Sequence, residues 1–130
     1  MATYVADTHA LVWYLSKHPA LSSRAQAVFY GAATGVNQIV VPTIVIAELM
    51  RMVEKRRTAL NVQQVVTALE KANGYQFAPL TIPIVLQIQA TASLPDLHDR
   101  FITATALTFG ATLITQDQII TQSGLIPVIW

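Results

Sequence analysis

Short apolar runs, each followed by a segment of helical character, constrain this chain more than any other feature. Residues 3–6 (TYVA), Ile39 to Val41, Phe77 to Pro79, Thr112 to Thr115 and Ile126 to Trp130 have the length of strands. They are apolar throughout rather than alternating, the pattern of strands covered on both faces. Helical segments are expected from Thr8 to Leu15, Ser22-Ser23 to about Ala33, and Thr43 to Arg57. Three more are expected from Asn61 to about Asn73, Ile82 to Ala92, and Asp96 to Gly110. Thr43, Asn61 and Asp96 are of the type that caps helix N-termini, Pro83 suits a first turn, and Asn73-Gly74 is a stop. Parallel strands need crossover connections, so strand–helix alternation implies a mostly parallel sheet. The expected fold is α/β: a three-layer α/β/α sandwich on a short sheet of four to five strands. With 130 residues, 53% of them apolar, one core and one domain over 1–130 are expected.

Charged residues make up 12% of the chain, about half the usual ~25%. A surface so poor in charge suggests that a partner covers part of it. The net charge of +1 gives no strong field to gather nucleic acid, so a polyanionic substrate would need a local basic patch. The absence of Cys excludes disulfides and thiolate metal sites. No apolar run is long enough for a membrane span, and "MATYVADTHALVWYL" is broken by Asp7 and His9, so no membrane association is expected. A cytoplasmic protein is the default expectation.

Only seven side chains are acidic, and five of them fall at related places in the expected fold. Asp7 directly follows the first strand. Glu48 lies early in the helix after the second. Asp96 and Asp99, three apart on one helix face, open the helix before the fourth strand. Asp117 lies just beyond that strand. Sites in open α/β sheets form outside the carboxyl ends of the strands, and all five acids could meet at that edge. Crowded carboxylates raise one another's pKa unless a cation is present. Mg²⁺ or Mn²⁺, held through oxygen, is the natural counter-charge and the natural partner of a phosphodiester. Each acid also has a plainer reading. Asp7 and Asp96 could be N-caps, Asp99 the end of a capping box, Glu48 a partner of Arg51 or Lys55, and Asp117 the start of a turn.

The segments "YVADTHALVWYL", "VPTIVIAELMR", "LPDLHDRFITATAL" and "ATLITQDQII" resemble, in order and spacing, the acidic blocks of PIN-domain nucleases, most closely the VapC-like toxins of toxin–antitoxin pairs. By that resemblance Asp7, Glu48 and Asp99 match the three core metal-site acids. Asp117 matches a fourth, Asp96 an additional acid, and Thr115 a small polar residue beside the site. The resemblance implies Mg²⁺- or Mn²⁺-dependent cleavage of RNA, a homodimer, and a cognate antitoxin protein that blocks the site. Residues 58–80 carry no recognisable signature of the family. Thr8, Arg51, Lys55, Arg100 and Thr115 are candidate substrate contacts, with Arg51 and Lys55 on one helix face and Arg100 also able to orient Asp99 or pair with Asp96. Two other readings stand beside this one. A catalytically degenerate PIN fold would bind RNA or protein only. A receiver-type signalling domain would need a phospho-accepting Asp at the end of a middle strand and a late Lys. Here the third strand ends in Ala78-Pro79, and no Lys follows Lys71.

Overall fold

The computed structural model describes residues 1–130. Five strands, β1 (Ala2–Ala6), β2 (Asn37–Pro42), β3 (Tyr75–Ala78), β4 (Thr112–Ile114) and β5 (Val128–Ile129), form one sheet in the order β3-β2-β1-β4-β5. Every pairing is parallel. The connecting helices are α1 (Thr8–Ser16), α2 (Ser23–Ala33), α3 (Thr43–Glu54), α4 (Val62–Lys71), α5 (Ile82–Gln87), α6 (Leu97–Phe109) and α7 (Gln118–Ser123). A 3-10 turn, Ile88–Thr91, follows α5. Successive residues of a strand point to opposite faces. Ile39, Val40 and Val41 are nevertheless all fully buried, so helices cover both faces and the expected three layers are present.

The order of the strands fixes where a site can form. The chain winds outward from β1 through β2 to β3, then crosses back past both to β4 and on to β5. Connections therefore leave β1 and β4 in opposite directions. The crevice outside their carboxyl ends is the topological switch point, where open α/β sheets bind ligands. Ala6 pairs with Ile114 there, and the Asp7 amide donates to the Ile114 carbonyl at 3.2 Å. The last residues of β1 and β4 are thus locked side by side.

The core is one cluster centred on Leu11, Phe29, Ile39, Leu49, Ile102 and Leu113, all of them buried. Tyr14 stacks on Phe29 with ring centroids 4.4 Å apart. Helix α4 ends at Ala72, in extended conformation, before the expected Asn73-Gly74 stop, and Gly74 lies in the turn that follows. Its φ is +81°, and an added Cβ would lie 2.5 Å from the Ala32 carbonyl oxygen.

Several boundaries differ from expectation. Thr43 does not cap α3: it is the helix's first residue, Pro42 holds the cap position, and no side chain accepts there. Helix α3 stops at Glu54 rather than Arg57 because Arg56 takes a left-handed conformation, φ 56°. Residues 82–92 break into α5 and the 3-10 turn. Where a turn is expected after β4, helix α7 forms instead, capped by Asp117 and ended by Gly124, φ 68°. No helix is long and apolar enough to cross a membrane.

Candidate active site

The five acids meet in one cleft at the switch point. Its volume is about 870 Å³, and Asp7, Glu48, Asp96, Asp99 and Asp117 all line it. Asp7, Asp96 and Asp117 arrive as helix N-caps, Glu48 and Asp99 from within helices. Asp7 continues β1 in extended conformation and caps α1, its Oδ1 accepting from the Ala10 amide at 2.8 Å. Asp117 caps α7, its Oδ1 accepting from the Ile120 amide at 2.9 Å. Asp96 caps α6, its Oδ1 accepting from the Asp99 amide at 3.0 Å. Two of the plainer readings, the caps at Asp7 and Asp96, are therefore correct as far as they go, whereas Asp117 opens a helix rather than a turn. A cap occupies one carboxylate oxygen, leaving the second available to the cleft. Glu48 does not pair with Arg51 or Lys55. Its Oε1 accepts from the Thr8 hydroxyl, and its Oε2 lies 3.6 Å from His98 Nδ1.

The electrostatics show a site short of positive charge. No Lys or Arg nitrogen comes within 4.0 Å of any carboxylate in the molecule; only His98 does, near Glu48 and, at 3.9 Å, Asp96. Burial pushes the Asp99 carboxyl up to about 6, and the negative charges of Asp96, Asp117, Glu48 and Asp7 add to the rise. Burial also raises Asp7 above the usual carboxylate range. The Thr115 hydroxyl, the Ala10 amide and His9 oppose that rise, and Asp117 reinforces it.

The donor set suits a hard divalent cation: all-oxygen, acidic, and uncompensated by the protein's own cations. The side chains do not by themselves close a cage of three or more ligands around one point. Each of Asp7, Asp96, Asp117 and Glu48 has an oxygen engaged by an amide or hydroxyl, and a roomy cleft separates them. Mg²⁺ characteristically keeps several of its waters and takes one or two carboxylates plus substrate phosphate. An open arrangement of this kind fits it better than it would fit a fully dehydrated ion.

Among the candidate substrate contacts, Thr8, Arg51 and Lys55 line the cleft. Thr115 does not. It is fully buried, its Oγ1 accepting from the Asp117 amide at 3.0 Å, so it positions Asp117. Arg100 is turned away. Its Nη2 donates to the Ile88 carbonyl at 2.9 Å and its Nε to Thr91 Oγ1 at 3.5 Å, which fastens the 3-10 turn to α6. It neither orients Asp99 nor pairs with Asp96. Sequence reasoning did not single out Arg57 and Gln116, which also line the cleft, and gave no partner for His98.

A family model for the PIN domain matches residues 4–123. No curated protein matches the chain. Among solved structures, VapBC2 from Rickettsia felis bound to a DNA fragment from their promoter is similar with a TM-score of 0.72 at 18% identity, covering 98% of this chain and 97% of that one. FitAcB from Neisseria gonorrhoeae is similar with a TM-score of 0.69 at 19% identity, covering 98% and 96%. A toxin–antitoxin complex from Klebsiella pneumoniae gives 0.68 at 21%, covering 100% and 97%.

Proposed function

The chain belongs to the PIN domain family, and on that premise we propose that it is a metal-dependent endoribonuclease, the toxin of a toxin–antitoxin pair, acting in the cytoplasm. Family membership removes the receiver-type alternative. The observation that carries the reading is the convergence of Asp7, Glu48, Asp99 and Asp117 on the switch point with no Lys or Arg nitrogen within 4.0 Å of them. A site built only to bind an RNA or a protein has no use for that uncompensated charge, which disfavours the degenerate alternative.

Asp7, Glu48, Asp99 and Asp117, with Asp96 at the rim, would hold Mg²⁺ or Mn²⁺. When bound, such an ion supplies activation of water and neutralisation of the leaving oxygen at a phosphodiester. The chain's own part is to fix oxygens before substrate arrives. The Ala10 amide holds Asp7, the Thr8 hydroxyl holds Glu48, and the Ile120 amide holds Asp117. Preset oxygens need no reorganisation during reaction, which is the main source of electrostatic catalysis.

A cognate antitoxin and a homodimer follow the same reading. A toxin–antitoxin complex stands among the similar structures. Helix α5 leaves Ile82 and Leu86 70% and 61% exposed, apolar surface of the kind a protein partner covers. The nuclease reading is tested by incubating purified protein with RNA and Mg²⁺. The parent cuts. Asp7→Asn, which retains the Oδ1 that caps α1, folds normally and loses cutting by at least 100-fold, the scale of a lost preset charge. An Asp7→Asn protein that cuts like its parent defeats the assignment.

A further inference from the structure

The chain has two tryptophans, Trp13 and Trp130, and they meet. Their ring centroids lie 5.9 Å apart at 62°, an edge-to-face contact. Two imidazoles also pack on Trp13: His18 stacks on it at 5.1 Å, and His9 lies 5.4 Å away. Neither indole lines the cleft. What sets this contact apart is where its two ends lead. Trp13 belongs to α1, the helix that Asp7 caps, about 9 Å further along a rigid helix axis. Trp130 follows β5, whose Ile129 carbonyl accepts from the Thr115 amide at 3.3 Å. Thr115 Oγ1 in turn accepts from the Asp117 amide at 3.0 Å. The Asp7 amide donates to the Ile114 carbonyl, next to Thr115. A closed circuit therefore runs from Asp7 along α1, across the indoles, through Ile129 and Thr115 to Asp117, and back through β4. Its weak link is β5, two residues long at the edge of the sheet. So short a strand has little hold of its own. The buried Ile126 anchors its start, and the indole contact anchors its end.

We propose that Trp13 and Trp130 are positioning residues: their contact braces Thr115 and Asp117 against α1, and so fixes the reach between the Asp7 and Asp117 carboxylates for a divalent cation. The proposal rests on the metal-site reading above. Edge-to-face indoles attract each other in a defined geometry, so the contact sets a distance as well as burying area. Without it the end of β5 is free to shift, Thr115 follows through its amide, and Asp117 follows Thr115. A contact with a merely structural role would lower stability and leave the metal affinity of the folded molecules unchanged. Groups that orient metal ligands from behind cost about 10–100-fold in metal affinity when removed. This brace acts through two successive hydrogen bonds, so the lower end, about 10-fold, is expected.

The experiment titrates the protein with Mn²⁺ and reads the free ion by its electron paramagnetic resonance signal, at a temperature where circular dichroism shows each variant folded. Trp130→Ala should bind Mn²⁺ about 10-fold more weakly than the parent. Trp130→Phe keeps an aromatic ring against Trp13 and should return to within about threefold of the parent. Leu69→Ala removes a buried contact on α4, which does not line the cleft, and should destabilise the protein while keeping the parental affinity. Trp130→Leu takes the place of Trp130→Ala if that variant does not fold. Parental Mn²⁺ affinity in the folded Ala or Leu variant overturns the brace. So does a Phe variant as weak as the Ala variant, or an equal loss in Leu69→Ala. A parent that binds no Mn²⁺ overturns the brace and the metal-site reading together. A parent and variants that bind Mn²⁺ in the expected order, but never cut RNA, defeat the nuclease reading alone and leave the brace standing.

Discussion

Replacing Asp99 by Asn should make the metal-free protein more stable while destroying its response to metal. The Asp99 carboxyl is raised from 3.8 to about 6 in the folded chain, through burial and four neighbouring carboxylates. A group whose folded pKa exceeds its unfolded value binds protons more tightly when folded, so its favourable contribution is complete at low pH and is lost as pH rises from about 4 through about 6. At neutral pH the ionised carboxylate is a net cost. Two pKa units would be about 3 kcal/mol for a buried group, but Asp99 is only half-buried, and solvent screening reduces the figure to about 1 kcal/mol. Asn keeps the shape and removes the charge, and the Asp96 cap on the Asp99 amide is a backbone contact that survives. In EDTA at pH 7.5 the variant should therefore melt about 3–5 °C above the parent. At pH 4 the two should melt together. Adding 10 mM Mg²⁺ should raise the parent and scarcely move the variant, because the ion removes the repulsion that made the carboxylate costly. Calorimetry across pH, with and without metal, reads all three. A variant that melts below the parent in EDTA at pH 7.5, or one that gains equally at pH 4, refutes the claim that crowded negative charge is stored in this cleft.

Two further outcomes test the scaffold. Arg100→Ala removes the donor to the Ile88 carbonyl and should cost about 1–2 kcal/mol by chemical denaturation; an equal loss of RNA affinity in the folded variant would show that Arg100 faces substrate after all. Gly74→Ala forces a Cβ against the Ala32 carbonyl at positive φ and should cost about 2–4 kcal/mol; a neutral result would mean that the turn before β3 can move away from Ala32.

The acids were legible because their positions are tied to strand ends, and strand ends are marked by apolar runs stopping. Asp7 and Asp117 follow β1 and β4 closely, so locating the runs located them. Glu48 and Asp99 needed only the direction of the helices. Failures of the sequence reading came where a residue's role depends on a distant backbone path. Arg100 finds its carbonyl 12 residues upstream, in a 3-10 turn that no local signal separates from α5. Arg57 reaches the cleft because Arg56 adopts a conformation that its side chain disfavours, which a residue-type argument cannot anticipate. Helix α7 is six residues long, too short for periodicity to show, although its cap and its closing glycine were both present.

Asp7 and Asp117 become neighbours only when β4 slides in beside β1, after more than a hundred intervening residues have been placed. A growing polypeptide that has emerged only as far as α6 carries Asp7, Glu48 and Asp99 but has nothing to seal the far side of the crevice. The cleft thus cannot be completed until β4 and the segment after it have been made. The order of synthesis itself therefore delays the moment at which the cleft is complete.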